Sequence, residues 1–289
     1  MNILATVSSI VRLGAEPVFV DIDKATFNMD TGQLQRVITK KTKAIMPIHL
    51  FGQCAEMDEI NALAATEKIA VVEDAAQAIG AEYKGRRAGG LGKVAAFSFY
   101  PSKNLGGAGD GGMLTTDDAE LADRLKTLRA HGAKKKYFHD YVGINSRLDS
   151  LQAAILRVKL NYLDGWAKAR RSNSDTYRRL FEQTGLLKAG KVQLPTEAEG
   201  MIHVYNQFVI LVEDRDKLIT HLKENGIGTE IYYPLPLHLQ PCFANLGFQK
   251  GDFPVSEKAA DSSMAIPVHP DLTLEDQQYV VDSIAMFYA

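Results

Sequence analysis

Between Pro17 and His131 short apolar runs alternate with amphipathic stretches, and this rhythm limits the chain to few architectures. Strands are expected at 17–21 (P-V-F-V-D), 44–49, 69–73, 94–99 and 112–116, and helices at 31–38, 57–65 and 119–131. A helix over 6–13 precedes them and stops at Gly14. The segment between the strands at 69–73 and 94–99 reads as a hairpin turning at Lys84-Gly85-Arg86. Strands spaced by helices give an α/β domain around a mostly parallel sheet. Ligands of such sheets collect beyond the carboxyl ends of the strands. The polar, aromatic stretch 133–146 reads as a loop without regular structure. A long helix over about 148–175, striped by Leu151, Ile155, Val158 and Leu163, then leads into a smaller α+β domain. That domain holds a strand at 205–212, a helix at 215–225, a strand through Tyr232, a proline-bearing loop at 232–240 and a closing helix at 274–287. The boundary falls between 1–165 and 166–289.

Composition narrows the function classes. A formal charge of -2 on 289 residues offers no electrostatic footing for nucleic acid or an anionic membrane. No apolar run is long enough to span a bilayer. The opening M-N-I-L-A-T-V-S-S-I-V-R lacks the plan of a signal peptide, and Cys54 and Cys242 stand far apart, so a reducing cytoplasm is expected. The seven histidines include no close-spaced pair of the kind zinc sites use, so no metal is expected. No Gly-x-Ser-x-Gly elbow marks a hydrolase. The run G-G-A-G-D-G-G opens a strand rather than a helix, which excludes both the dinucleotide fingerprint and the P-loop.

The chemistry concentrates at F-S-F-Y-P-S-K-N-L-G (97–106), where Lys103 stands in a turn between an apolar strand and a run of glycines. Such a lysine is either a solvated turn residue or an amine held near a carbonyl cofactor for Schiff-base formation. With an aldehyde cofactor such as pyridoxal 5'-phosphate (PLP), a carboxylate must hold the ring nitrogen protonated. Asp74, at the end of an earlier strand, can serve there or can cap a following helix. Gln77 can bond the ring oxygen, and Ser98 and Ser102 can hold phosphate.

Taken together, E-D-A-A-Q (73–77), F-S-F-Y-P-S-K-N-L-G (97–106), G-D-G-G (109–112) and G-I-N-S-R-L-D-S-L-Q-A-A-I-L (143–156) resemble the DegT/StrS-type sugar aminotransferases. P-V-F-V-D-I-D (17–23), H-L-F-G-Q (49–53) and Y-P-L-P-L-H-L-Q (233–240) fit as well, so the resemblance covers essentially the whole chain. It implies the aspartate-aminotransferase fold (fold type I) and PLP as cofactor. Lys103 matches the Schiff-base lysine, Asp74 the partner of the pyridinium nitrogen, Gln77 the residue beside the ring hydroxyl, and Ser98 a phosphate ligand. Asn145 matches an asparagine that reaches the neighbouring subunit's phosphate, which implies a homodimer with shared sites. Arg147, Tyr232 and His238 fall where the family meets its substrate, and Tyr232 stands where many members carry histidine. Lysine rather than histidine at 103 favours transamination over dehydration. The implied reaction moves an amino group from glutamate to a nucleotide-linked keto-sugar, for cell-surface polysaccharide or a sugar-bearing metabolite. Members of the family also carry a phosphate-binding segment before the point matching Met1, and an aromatic ring where this chain has Ile3. On that comparison the chain reads as N-terminally truncated. The alternative expectation is a weakly active member serving as partner subunit or regulator.

Overall fold

The computed structural model describes residues 4–289 and begins with α1 (Leu4–Val11), followed by α2 (Thr31–Val37), β1 (Ala44–Ile45) and α3 (Met57–Glu67). Next come β2 (Ala70–Asp74), the hairpin β3 (Glu82–Tyr83) and β4 (Arg86–Arg87), β5 (Val94–Ser98), β6 (Gly112–Thr115) and α4 (Ala119–Leu128). A small hairpin, β7 (Ala133–Lys135) and β8 (Phe138–His139), leads to α5 (Ser150–Leu160) and α6 (Leu163–Thr184). The C-terminal part holds β9 (Val192–Gln193), β10 (Met201–Ile202), β11 (Phe208–Val212), α7 (Arg215–Glu224), α8 (Pro254–Ser262), β12 (Ser263–Ile266) and α9 (Leu274–Tyr288).

The main sheet runs β1-β2-β5-β6; its first three strands are parallel and β6 is antiparallel to β5. Local chemistry explains where its elements start and turn. Asp30 caps α2 by accepting from Gly32 N at 3.0 Å, and Asp118 caps α4 by accepting from Leu121 N at 3.0 Å. The β3–β4 hairpin turns on Lys84 (φ 49°) and Gly85 (φ 78°), two successive left-handed residues as a tight hairpin needs. One core packs α3 and β2 with Tyr83, Leu91, Met201 and Val204. A second packs Tyr177 and Phe181 of α6 against β11, β12, α7 and α9. The strands β12-β11-β9 form the antiparallel sheet of this second core, and Thr273 and Asp276 close a capping box on α9.

Four expectations are corrected. The run 17–21 is extended but joins no strand among the described residues; only Ile22 pairs, with Met29. The stretch 133–146 contains the β7–β8 hairpin. The long helix over 148–175 is two helices, because Asn161 turns its side-chain amide onto the Arg157 and Val158 carbonyls and ends α5. The strand through Tyr232 shrinks to one bridge between Glu230 and Ala265.

Beside the first core lies His203, 3 % exposed, its ring stacked on Tyr205 at 3.9 Å and its Nδ1 accepting from Tyr205 N at 2.9 Å. Burial, with Arg178 and Arg171 nearby, pushes its pKa down to about 3. Unfolded, the ring takes a proton as pH falls through the usual histidine value of 6.5; folded, it resists until about 3. Its contribution to stability is therefore complete above 6.5 and drains away below it, at about 1.4 kcal/mol per pH unit. Urea unfolding at pH 7.5 and 5.0 should show this residue's share of the loss, roughly 2 kcal/mol. His203→Gln should flatten the slope by that amount; an unchanged slope would contradict the assignment.

Candidate active site

The last two residues of β2 point to opposite faces of the sheet, as strand alternation requires. Glu73, fully buried, accepts from His49 Nε2 at 3.0 Å, Gly89 N at 2.8 Å, Leu91 N at 2.7 Å and Gly92 N at 2.6 Å. His49 Nδ1 accepts from Ala55 N at 3.1 Å, which fixes the proton on Nε2 and makes the pair a neutral imidazole donating to a carboxylate. Burial raises the Glu73 pKa, but the His49 bond and the Gly89 and Gly92 amides outweigh it and hold the group below the ordinary glutamate range. Burial and this carboxylate together push the Cys54 thiol up to about 12.

Asp74 emerges on the other face, where it lies opposite Ala96 of β5; Ser98, two residues further on, shares that face. One Asp74 oxygen accepts from the Thr6 hydroxyl and the other from Ala76 N at 3.1 Å. No helix follows it, so of its two sequence readings the helix cap is not met; the chain turns instead through 75–80. Backbone bonds from Asp74 N to Pro47 O (2.9 Å) and from His49 N to Asp74 O (3.0 Å) fix its place in the sheet.

Lys103 sits in a tight turn beyond β5. Its N–H donates to Tyr100 O at 2.9 Å, Gly107 N donates to Phe99 O at 2.7 Å, and a Cβ at Gly106 would overlap the Pro101 carbonyl. Lys159 of α5 donates to Gly106 O, and Asn104 Nδ2 donates to Val204 O at 3.1 Å. The amine itself is half-buried and takes no hydrogen-bond partner among the described residues. Burial lowers its pKa and the attraction of Asp74 opposes that, so the two groups feel each other across the sheet end. Gln77 lies in the turn after Asp74; its Oε1 accepts from Phe51 N at 2.7 Å and its Nε2 donates to Tyr233 Oη at 3.2 Å. Ser98 Oγ accepts from Tyr100 N at 3.3 Å and keeps its own proton to donate.

The structure thus gathers Asp74, Gln77, Ser98 and Lys103 at the carboxyl ends of β2 and β5. The other expected residues make no hydrogen bond to these four among the described residues. Asn145 is exposed, pairs with Ala130, and accepts from Arg147 Nε at 3.1 Å; among the described residues it bonds none of the four. Tyr232 packs edge-on against Tyr233, with centroids 5.5 Å apart. His238 is buried, bonded to Glu257 at 2.9 Å, and lines a cavity of about 710 Å³ walled by α1, 15–22 and α2. That cavity is apolar and includes neither Lys103 nor Asp74. Ile3 lies outside the described residues. Sequence reasoning missed Glu73, Tyr233 and Thr6. Glu73 adjoins Asp74 in the E-D pair, but its partners come from 49 and 89–92 and leave no local signature.

A model of the DegT/DnrJ/EryC1/StrS aminotransferase family matches residues 1–285. The chain belongs to this family. Among its relatives, a "Pleiotropic regulatory protein" of Geobacillus stearothermophilus is 52% identical over 98% of this chain and 76% of its own length. The dTDP-3-amino-3,4,6-trideoxy-alpha-D-glucose transaminase of Streptomyces venezuelae is 40% identical over 97% of this chain and 73% of its own length. The crystal structure of S. venezuelae DesV in complex with a ketimine intermediate superposes with a TM-score of 0.94, at 39% identity over 99% of this chain and 76% of that one. The aminotransferase architecture expected from sequence, an α/β domain on a largely parallel sheet joined to a smaller α+β part, is the one the chain adopts. The donor set also suits a PLP in chemical kind: a half-buried amine with no hydrogen-bond partner among the described residues, a carboxylate at the neighbouring strand end, an amide with a spare N–H, and a serine hydroxyl.

Proposed function

We propose that this family member catalyses PLP-dependent transfer of an amino group, with glutamate as donor, to a keto-sugar linked to a nucleoside diphosphate. The observation carrying the reading is Lys103, a half-buried amine without a hydrogen-bond partner among the described residues, facing the field of Asp74 at the sheet end. Bound there, PLP would supply an electron sink that makes the carbon–hydrogen bond next to the amine acidic. Lys103 Nζ would be the nucleophile toward the cofactor's aldehyde and the carrier of the proton. The Asp74 carboxylate would hold the proton of the ring nitrogen, itself braced on one side by the Thr6 hydroxyl and on the other by Ala76 N–H. Ser98 offers its hydroxyl to the phosphate. The transaminase activity of the Streptomyces relative on a dTDP-linked sugar supports the substrate class.

The reading includes a homodimer in the cytoplasm, with Asn145 serving the partner's site and Arg147, Tyr232 and His238 bordering the substrate. It also keeps a PLP-binding part over 1–165 and a smaller part over 166–289. The dimer is supported by α5, whose Leu151 and Val158 are 72% and 63% exposed one heptad apart, next to the exposed loop that bears Asn145. Val158→Asp should move the protein from dimer to monomer in sedimentation velocity and lower its PLP affinity; a variant that stays dimeric would rule out this face. The name of the Geobacillus relative favours a second reading, a regulatory partner subunit. Incubating the purified chain with PLP, glutamate and keto-sugar nucleotides, and measuring 2-oxoglutarate, separates the two. Steady turnover supports the enzyme, and PLP binding without turnover supports the regulator.

A further inference from the structure

Gln77 holds more of the site than its own amide. Its Oε1 is committed to Phe51 N–H at 2.7 Å, so the amide can turn only its NH2 edge toward the sheet end. One N–H of that edge goes to Tyr233 Oη at 3.2 Å. Tyr233 accepts there, and its own O–H finds no acceptor among the described residues. Two donors therefore remain unclaimed on heavy atoms 3.2 Å apart: the second Gln77 N–H and the Tyr233 O–H. Two such donors side by side suit one oxygen that accepts twice, as a phenolate does. Tyr233 belongs to the 232–240 loop, 156 residues from Gln77, so the C-terminal part of the chain supplies half of this pincer.

We propose that Tyr233 is a cofactor-binding residue: with Gln77 it grips the phenolic oxygen of the PLP ring, and it holds the Gln77 amide in the orientation that makes this grip possible. The inference rests on the cofactor reading above. Burial keeps the Tyr233 pKa above its ordinary value, so the hydroxyl stays a donor throughout the working pH range.

The test compares the wild-type chain with Tyr233→Phe, both titrated with PLP and followed by visible absorption. The Phe variant keeps the ring and its packing, and circular dichroism melting verifies its fold. The expected result is PLP binding about tenfold weaker, the loss of one hydrogen bond to a charged acceptor, with a changed ratio of the near-ultraviolet to the visible band. Tyr233→His, which restores a donor, should recover part of the affinity and the wild-type ratio. Tyr279→Phe, on the exposed face of α9, should change neither. No visible band in wild type would remove the cofactor reading itself. A wild-type band that persists with unchanged ratio and affinity in Tyr233→Phe would overturn this inference alone.

Discussion

Lys103→Ala should lose the visible absorption of bound PLP and essentially all amino transfer. Removing a positioned proton carrier alone costs roughly 10²–10⁴-fold in rate, and here the same side chain is also the nucleophile. The fold should survive, because Lys103 Nζ makes no hydrogen bond among the described residues and its turn is held by backbone bonds and by Asn104. Matching thermal melts of variant and wild type, beside a rate at the limit of detection, are the expected pair of measurements. A variant that transfers amino groups at about a tenth of the wild-type rate or faster would take Lys103 out of the reactive role. Lys103→Arg should fare no better, since a guanidinium stays charged and cannot serve as the nucleophile.

The largest loss of stability is expected from Glu73→Ala. It strands the N–H groups of Gly89, Leu91 and Gly92 and the His49 ring, all directed at the buried carboxylate. Each buried donor left unsatisfied costs roughly 1–3 kcal/mol, so together they are a large share of a typical folding free energy. The urea midpoint should fall accordingly. Glu73→Gln should fall less, because its carbonyl still accepts while its NH2 meets donors. A Glu73→Ala midpoint within error of wild type would mean that the 89–92 turn can rearrange without its carboxylate. Asp74 follows Glu73 in the strand and His49 N bonds its carbonyl, so PLP affinity should drop with stability in both variants.

What the sequence made legible follows from the range of each interaction. Lys84-Gly85 announced a turn because left-handed backbone is a local demand that glycine meets. Asp74, Ser98 and Lys103 were found because strand ends put them near one another whatever the details of packing. The 17–21 run carried the right pattern for a strand, yet pattern cannot supply a neighbour to pair with. Asn161 ends a helix through its own side chain, a choice that apolar periodicity does not register. In the Y-Y pair, Tyr232 and Tyr233 differ by one position, and only the three-dimensional path of the loop brings the second to Gln77. Likewise His238 is held by Glu257, nineteen residues on, a commitment invisible in a loop read as substrate-facing.

The bond from Asn104 to Val204 O, with Asn206 Nδ2 returning to Asn104 Oδ1 at 3.0 Å, sets an order of events in folding. The amine's immediate neighbour is anchored to chain a hundred residues downstream. Contacts of such span form late, after the loop-closure entropy between them has been overcome. During synthesis the sheet can assemble from its first 130 residues, but the turn bearing Lys103 gains its last anchors only once residue 206 has emerged. The Lys103 turn is therefore among the last features of the sheet end to be set in place.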